Sequence, residues 1–147
     1  MIEISTQLSV LATVAYATIL GSIIGFERER ADKPAGTRTQ ALVAGAAALI
    51  VAVGGVVGSL SEFGDPTRSL HAVVTGIGFL GGSVILASKK GVQGVTTAAT
   101  VFTTAAIGAS VGLGFHVAAF GFVLIVVIVL RTGQVVNKIK KTDDHNS

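Results

Sequence analysis

The sequence predicts an all-α polytopic membrane protein: a helical bundle of five transmembrane helices, N-terminus outside and C-terminus cytoplasmic. Three observations carry this reading. Half of the 147 residues are hydrophobic and only 13% are charged, with a mean hydropathy of +0.75, a balance that water does not tolerate in a folded surface. The apolar residues come in runs about as long as the ~20-residue helix that crosses a ~30 Å hydrocarbon core. The basic residues collect in alternate connections, as the positive-inside rule requires.

The first three runs are Gln7 to Phe26, Thr39 to Leu60 and Ser69 to Ser88. From Val95 to Leu130 there is no Lys, Arg, Asp or Glu. As one helix this stretch would extend about 54 Å, so it must fold back. Gly112-Leu113-Gly114-Phe115-His116 holds the turn signal, which makes a fourth and a fifth span, the last running past Arg131. Pro34 and Pro66 both fall between runs. No Pro- or Ser-rich linker divides the chain, so residues 1–130 form one transmembrane domain and 131–147 a short basic and polar cytoplasmic tail.

Orientation follows from the eleven Lys and Arg residues. Arg28, Arg30, Lys33 and Arg38 lie between spans one and two, Lys89 and Lys90 between three and four, and Arg131, Lys138, Lys140 and Lys141 after five. Only Arg68 lies on the other side. A four-span arrangement would export the basic tail, whereas five spans keep it inside. Met1 to Thr6 has Glu3 but no positive charge, so no cleaved signal peptide is expected. The net charge of +3 then belongs to a membrane anchor whose tail meets anionic head groups, and no nucleic-acid partner is expected. Without a single cysteine, disulfides, thiolate metal sites and cysteine nucleophiles are excluded.

Small residues recur at helix-face spacing. Gly21 and Gly25, Gly54 and Gly58, and Gly78 and Gly82 are small-xxx-small pairs, and Thr96, Thr100, Thr104, Gly108 and Gly112 continue the period through the fourth span. These faces are expected to pack helix on helix, with the threonines bonding their own i−4 carbonyls. A polar track along a pathway is the alternative use of the same residues.

The charged stretch Gly25-Phe26-Glu27-Arg28-Glu29-Arg30, followed by Lys33-Pro34-Ala35-Gly36-Thr37-Arg38-Thr39, concentrates the candidate chemistry. Glu27 and Arg30 are i,i+3 neighbours able to pair. Glu27 and Glu29 could help hold a cation, while Arg28 and Arg38 could meet an anionic partner or lipid. Thr37 or Thr39 can cap the second span. Gly94-Val95-Thr96-Thr97-Ala98-Ala99 matches Gly36-Thr37-Arg38-Thr39-Gln40-Ala41 at Gly, Thr and Ala, which suggests that spans one and two are repeated in parallel by spans three and four.

Two further motifs fail on context. Gly76-x-Gly78-x-x-Gly81 fits a dinucleotide pattern but lies inside an apolar run with no acidic residue about 20 positions on. Ser83 with His71 or His116 has no companion that would make an intramembrane protease. No catalytic residue is assigned and no enzyme is expected.

Taken together, Gly25-Phe26-Glu27-Arg28-Glu29, Ala35-Gly36-Thr37-Arg38-Thr39, Asp65-Pro66-Thr67-Arg68, Gly76 to Gly82 and Gly94-Val95-Thr96-Thr97-Ala98-Ala99 resemble the MgtC/SapB family of bacterial membrane proteins. The resemblance covers nearly all of Leu8 to Leu130. Gln40 stands where the family pattern has His, and Val95 and Phe102 stand for Leu and Trp. Longer members carry a soluble cytoplasmic domain after the last span, so this chain reads as a short form. The resemblance implies a multi-pass inner-membrane protein supporting adaptation to low magnesium or intracellular stress, and in pathogens virulence. It implies a non-enzymatic regulator that binds other membrane proteins, among them the F-type ATP synthase; the alternative is a transporter or channel for Mg²⁺ or another small ion, formed by an oligomer. A homo-oligomer is expected, no cofactor beyond Mg²⁺ is implied, and metal ligands stay unassigned. Functional contacts are placed at Glu27, Arg28, Glu29, Arg38, Thr39, Asp65, Arg68, Thr96 and Thr97, and helix packing at Gly21, Gly25, Gly78, Gly82, Thr100, Thr104, Gly108 and Gly112.

Overall fold

A computed structural model describes residues 2–60, 65, 67–88 and 91–143, with the side chains of 86–88 and 134–143 left aside. Pro66, Lys89 and Lys90 lie outside the described residues. Five helices follow one another: α1 (Ile4–Arg30), α2 (Thr37–Ser59), α3 (Thr67–Ser83), α4 (Val95–Gly112) and α5 (His116–Asp143). In hydrocarbon every backbone N–H and C=O must be satisfied within its own segment, and apolar runs of this length meet that requirement as helices. α1, α2, α4 and α5 are each long and apolar enough to cross a membrane; α3 has 17 residues.

The connections are built from defined stops. At the end of α1, Asp32 adopts φ 55°, its N–H bonds the Glu29 carbonyl at 3.0 Å, and the Lys33 N–H bonds the Arg28 carbonyl at 3.0 Å. This pair of bonds around a left-handed residue is a Schellman stop, and Pro34 follows where a helix cannot continue. The same device ends α4: Gly114 at φ 90° bonds Val111, and Phe115 bonds Ser110, both at 2.9 Å. The expected turn between Gly112 and His116 is therefore a helix stop built on Gly114.

The third apolar run departs from expectation. Its helix ends at Ser83, and Leu86–Ser88 forms a strand, β1, paired antiparallel with β2 (Gly91–Gln93). The run Val84-Ile85-Leu86 is β-branched or apolar without helix-face spacing, and Gly91, the first residue of β2, holds φ 109°, a backbone that glycine adopts readily. The strand pair delivers the chain to Gly94, which begins α4.

α4 is the centre of the bundle, with ten buried residues. Ile107 and Val111 of α4 join Ala17, Leu20 and Ile24 of α1, Ala44 and Ala48 of α2, and Ala119, Val123 and Val126 of α5 in one core cluster. A second, smaller cluster joins Val101 and Ala105 of α4 to Ala47 of α2 and Ile77 of α3. The first cluster is alanine-rich because the helices approach closely. A Cβ on Gly21 would strike the Gln40 carbonyl, and one on Gly108 would strike the backbone of Ala44. On Gly25 it would lie 2.5 Å from the Thr37 Cα, and on Gly112 2.8 Å from the Ala48 carbonyl. Glycine at these four positions sets the spacing of α1, α2 and α4.

Gly78 and Gly82 behave differently. A Cβ on either would meet nothing within 4 Å, because α3 turns Ile77 and Gly81 inward instead. Their small-xxx-small face points out of the described fold.

Candidate functional site

The end of the bundle where α1 stops and α2 and α4 start gathers the polar side chains. On α1, Arg28 follows Ile24 by four positions and Gly21 by seven, so it continues the buried face rather than the exposed one. It is only 4% exposed, and the preceding Glu27 is 6% exposed. Across the bundle, Thr97 lies on the buried face of α4 that also carries Thr100, Val101 and Thr104. The Arg28 Nη2 donates to Thr97 Oγ1 at 2.9 Å. This bond ties the end of α1 to the start of α4, and Glu27 beside it supplies a compensating negative charge. Burying a guanidinium is costly without such partners.

Gln40 is the residue that the sequence reading did not place in the site. It is fully buried, and its Nε2 donates to the Ala35 carbonyl at 3.2 Å. Ala35 itself holds φ 58°, a left-handed conformation that costs an L-residue roughly 1–2 kcal/mol, and the bond from Gln40 helps hold it. A signal was present: Gln40 precedes Ala44, Ala47 and Ala48 at i+4, i+7 and i+8, which puts it on the small-residue face.

A carboxylate from α1 does the capping that Thr37 or Thr39 was expected to do. The N-cap of α2 is Gly36, with no side-chain cap of its own. Glu29 Oε2 instead accepts the Thr37 N–H at 3.2 Å and the Thr37 hydroxyl at 2.6 Å. A negative group at this helix start also meets the positive end of the helix dipole. Arg38 and Thr39 are exposed. Together with Phe26, Arg30 and Lys33 they border an open cavity of about 1140 Å³ around this helix start.

The start of α4 is built in another way. Gly94 is its N-cap at φ 86°, and a Cβ there would strike the Val84 carbonyl. Only glycine combines that left-handed backbone with so close an approach. Gly36 and Gly94 are thus both N-caps, as their matching motifs suggest, but Gly36 is extended at φ −74°. Thr96 is exposed while Thr97 is buried. Thr100 Oγ1 donates to the Thr96 carbonyl at 2.7 Å, and Thr104 is completely buried.

Asp65 and Arg68 lie apart from this cluster, at the start of α3. Asp65 Oδ1 accepts the Thr67 hydroxyl at 2.7 Å and the Thr67 N–H at 2.8 Å. These hydrogen bonds, the hydroxyl's foremost, hold the Asp65 carboxyl below its ordinary pKa. Arg68 is exposed. Among the described residues no three His, Asp or Glu side chains converge in a way that could hold a metal ion.

Apolar spanning helices closed around a buried arginine, with basic residues at one mouth, define a polytopic helical membrane protein. The chain belongs to the MgtC family, whose profile matches residues 14–139. It is 42% identical over 123 residues to Protein MgtC of Brucella abortus (strain 2308), an alignment covering 82% of this chain and 50% of that protein. It is 42% identical over 99 residues to Protein MgtC of Salmonella typhimurium (strain LT2), covering 67% and 41%. A Synechocystis protein described as uncharacterized is 42% identical over 118 residues, covering 80% and 49%. The chain spans about half the length of these curated relatives. No solved structure matches it.

Proposed function

We propose that this chain is a non-enzymatic regulator of the bacterial inner membrane that acts by docking other membrane proteins along α3. The observation that carries the proposal is the packing of α3. Of its 17 residues only Ile77 and Gly81 are buried, Phe79 is 80% exposed, and Gly76, Gly78 and Gly82 have open space where a Cβ would stand. In a bilayer helices associate through close backbone approach and not through expulsion from water, so small residues on an open face suit another helix. Membership in the MgtC family supports a role in magnesium homeostasis or intracellular stress. The F-type ATP synthase is the kind of partner that the family resemblance implies, and a second copy of the chain is an additional one.

In this reading α3 is the third of five spans, the N-terminus lies outside, and the Arg28 mouth and the tail face the cytoplasm. Ion transport is the competing use of the threonines on α4. Thr97 is engaged by Arg28 and Thr100 by its own helix, which favours packing over conduction.

The chain has no cysteine, so Phe79→Cys introduces a unique cross-linking handle. In native membranes it is expected to capture one defined membrane protein, while Ile128→Cys on α5, another exposed position at 63%, captures none. The purified chain in liposomes is expected to carry no Mg²⁺ or monovalent ion. A Mg²⁺ flux abolished by Thr104→Val would overturn the regulator reading.

A further inference from the structure

We infer that the cavity between the end of α1 and the start of α2 is a binding site for the phosphate of an anionic membrane lipid. The site concerns α1 and α2 and is independent of any docking on α3.

Charge is the first argument. Arg30, Lys33 and Arg38 border the cavity with Glu29 as its one carboxylate; three cations against one anion leave two positive charges. Glu29 is moreover committed, since its Oε2 already accepts both the N–H and the hydroxyl of Thr37. Its charge meets the α2 helix end and, among the three cations, that of Arg38, which leaves Arg30 and Lys33 for an external anion with Arg38 shared. All three are exposed, so they stay hydrated until a ligand arrives and bear no burial cost of the kind Arg28 carries.

Position is the second argument, and it selects a lipid over a free phosphate. Phe26 borders the same cavity and is 62% exposed. Ile23 and Ile19 lie three and seven positions before it on the same face of α1, at 41% and 58% exposure. An apolar stripe therefore runs from the cationic cavity along the outside of the helix toward the bilayer centre. A lipid would place its phosphate between Arg30, Lys33 and Arg38 and its acyl chain along Phe26, Ile23 and Ile19. The volume, about 1140 Å³, accommodates a head group. Arginine forks suit phosphate oxygens, and lysine adds a point charge.

The test uses the full chain in nanodiscs of phosphatidylcholine alone or mixed with phosphatidylglycerol, with co-purified lipid counted by native mass spectrometry. Phosphatidylglycerol is expected to be retained in preference to phosphatidylcholine. Each of Arg30→Gln, Lys33→Gln and Arg38→Gln should weaken the preference about fivefold, as the contribution of one surface cation implies. Phe26→Ala should weaken it less. Neutralising Lys138, Lys140 and Lys141 together should leave it intact, which separates the cavity from the tail. Lys33→Glu, at an exposed position, guards against an arginine variant that fails to fold. Nanodiscs expose both leaflets, so the result does not depend on orientation. The inference is overturned if phosphatidylglycerol shows no preference, if the preference survives Lys33→Glu, if it is lost with the tail charges alone, or if inorganic phosphate displaces the lipid at equal concentration.

Discussion

The two helical hairpins, α1–α2 and α3–α4, carry matching motifs at the start of their second helices and differ in how closely their helices pack. In the first, glycines face backbone: Gly21 is set against Gln40 and Gly25 against Thr37, with no room for a Cβ between the helices. In the second, the glycine contact between the two helices themselves is Gly81 against Ala98 at 3.8 Å, an ordinary distance, and the close approach of Gly94 to Val84 lies in their connection. An apolar cleft of about 240 Å³, lined by Val73, Val74 and Ile77 on one side and Phe102, Ala105 and Ala109 on the other, opens beside the contact between the helices. α4 does not share the looseness of its partner, because Gly108 and Gly112 fit it against α2. The lesson is that α1, α2 and α4 form a closely packed unit that holds Arg28 in place, while α3 meets it more loosely, through Ile77 on Ala47, Val101 and Ala105 and through Ser69 on Gly54. Close packing is lost over short gaps, so a helix with a cleft beside it contributes far less rigidity than its length suggests.

This difference can be broken by single methyl groups. Gly21→Ala is expected to cost about 1–3 kcal/mol, because the added carbon meets a backbone carbonyl that cannot rotate away. Gly78→Ala, the same substitution on α3, is expected to be neutral or to stabilise by up to about 1 kcal/mol through helix propensity. Thermal unfolding in detergent micelles checks both, and equal effects would erase the contrast.

The link between the two hairpins comes next in size. Thr97→Val removes the acceptor of Arg28 Nη2 and leaves a buried guanidinium short of a bond, an expected loss of about 1–3 kcal/mol. Thr97→Ser keeps the hydroxyl and should restore most of it. If Thr97→Val is as stable as Thr97→Ser, Arg28 draws its stability from elsewhere.

The paired helix starts sharpen the comparison further. Gly94→Ala places a methyl on a left-handed backbone and against the Val84 carbonyl, with an expected cost of at least about 1–2 kcal/mol. Gly36→Ala meets the Glu29 side chain, nearest at its Oε2, 3.3 Å away, which has to shift only slightly and can keep its bonds to Thr37. Its unfolding temperature should stay near that of the parent. A Gly36→Ala loss as large as that of Gly94→Ala would mean that the two caps are equivalent after all.

The smallest effect is a pH dependence at the start of α3. The Asp65 carboxylate is stabilised by Thr67 in the folded state, so its pKa is depressed. Its contribution is present above the ordinary carboxylate pKa and is lost as pH falls through the depressed folded value. Amide exchange at the first turn of α3 should therefore quicken at acidic pH, and Asp65→Ala should abolish that dependence.

Much of this architecture was legible in the sequence, for identifiable reasons. The apolar runs located four of the helices within a few residues, since backbone satisfaction in lipid leaves no other choice. The turn at Gly114 was visible because glycine there serves a left-handed stop. The strand pair was hidden: Val84 to Ser88 is apolar enough to extend a span, and hydropathy does not distinguish strand from helix. Gly78 and Gly82 carried the same spacing as Gly21 and Gly25, but a spacing names a face without saying what lies opposite. At the mouth, Arg28 and Glu29 were legible as charges and illegible as structure. That Arg28 turns inward to Thr97 and Glu29 crosses to cap α2 depends on contacts between helices far apart in the chain.

Hydrogen–deuterium exchange of the full chain in nanodiscs, read by peptide across α2 and α3, tests the central contrast most directly. A closely packed α1–α2–α4 unit with a loosely attached α3 predicts that amides from Ala44 to Val51 are among the slowest in the protein, and that those from Leu70 to Leu80 exchange at least about tenfold faster, as weaker local stability requires. Equal protection of the two segments in the isolated chain would contradict it.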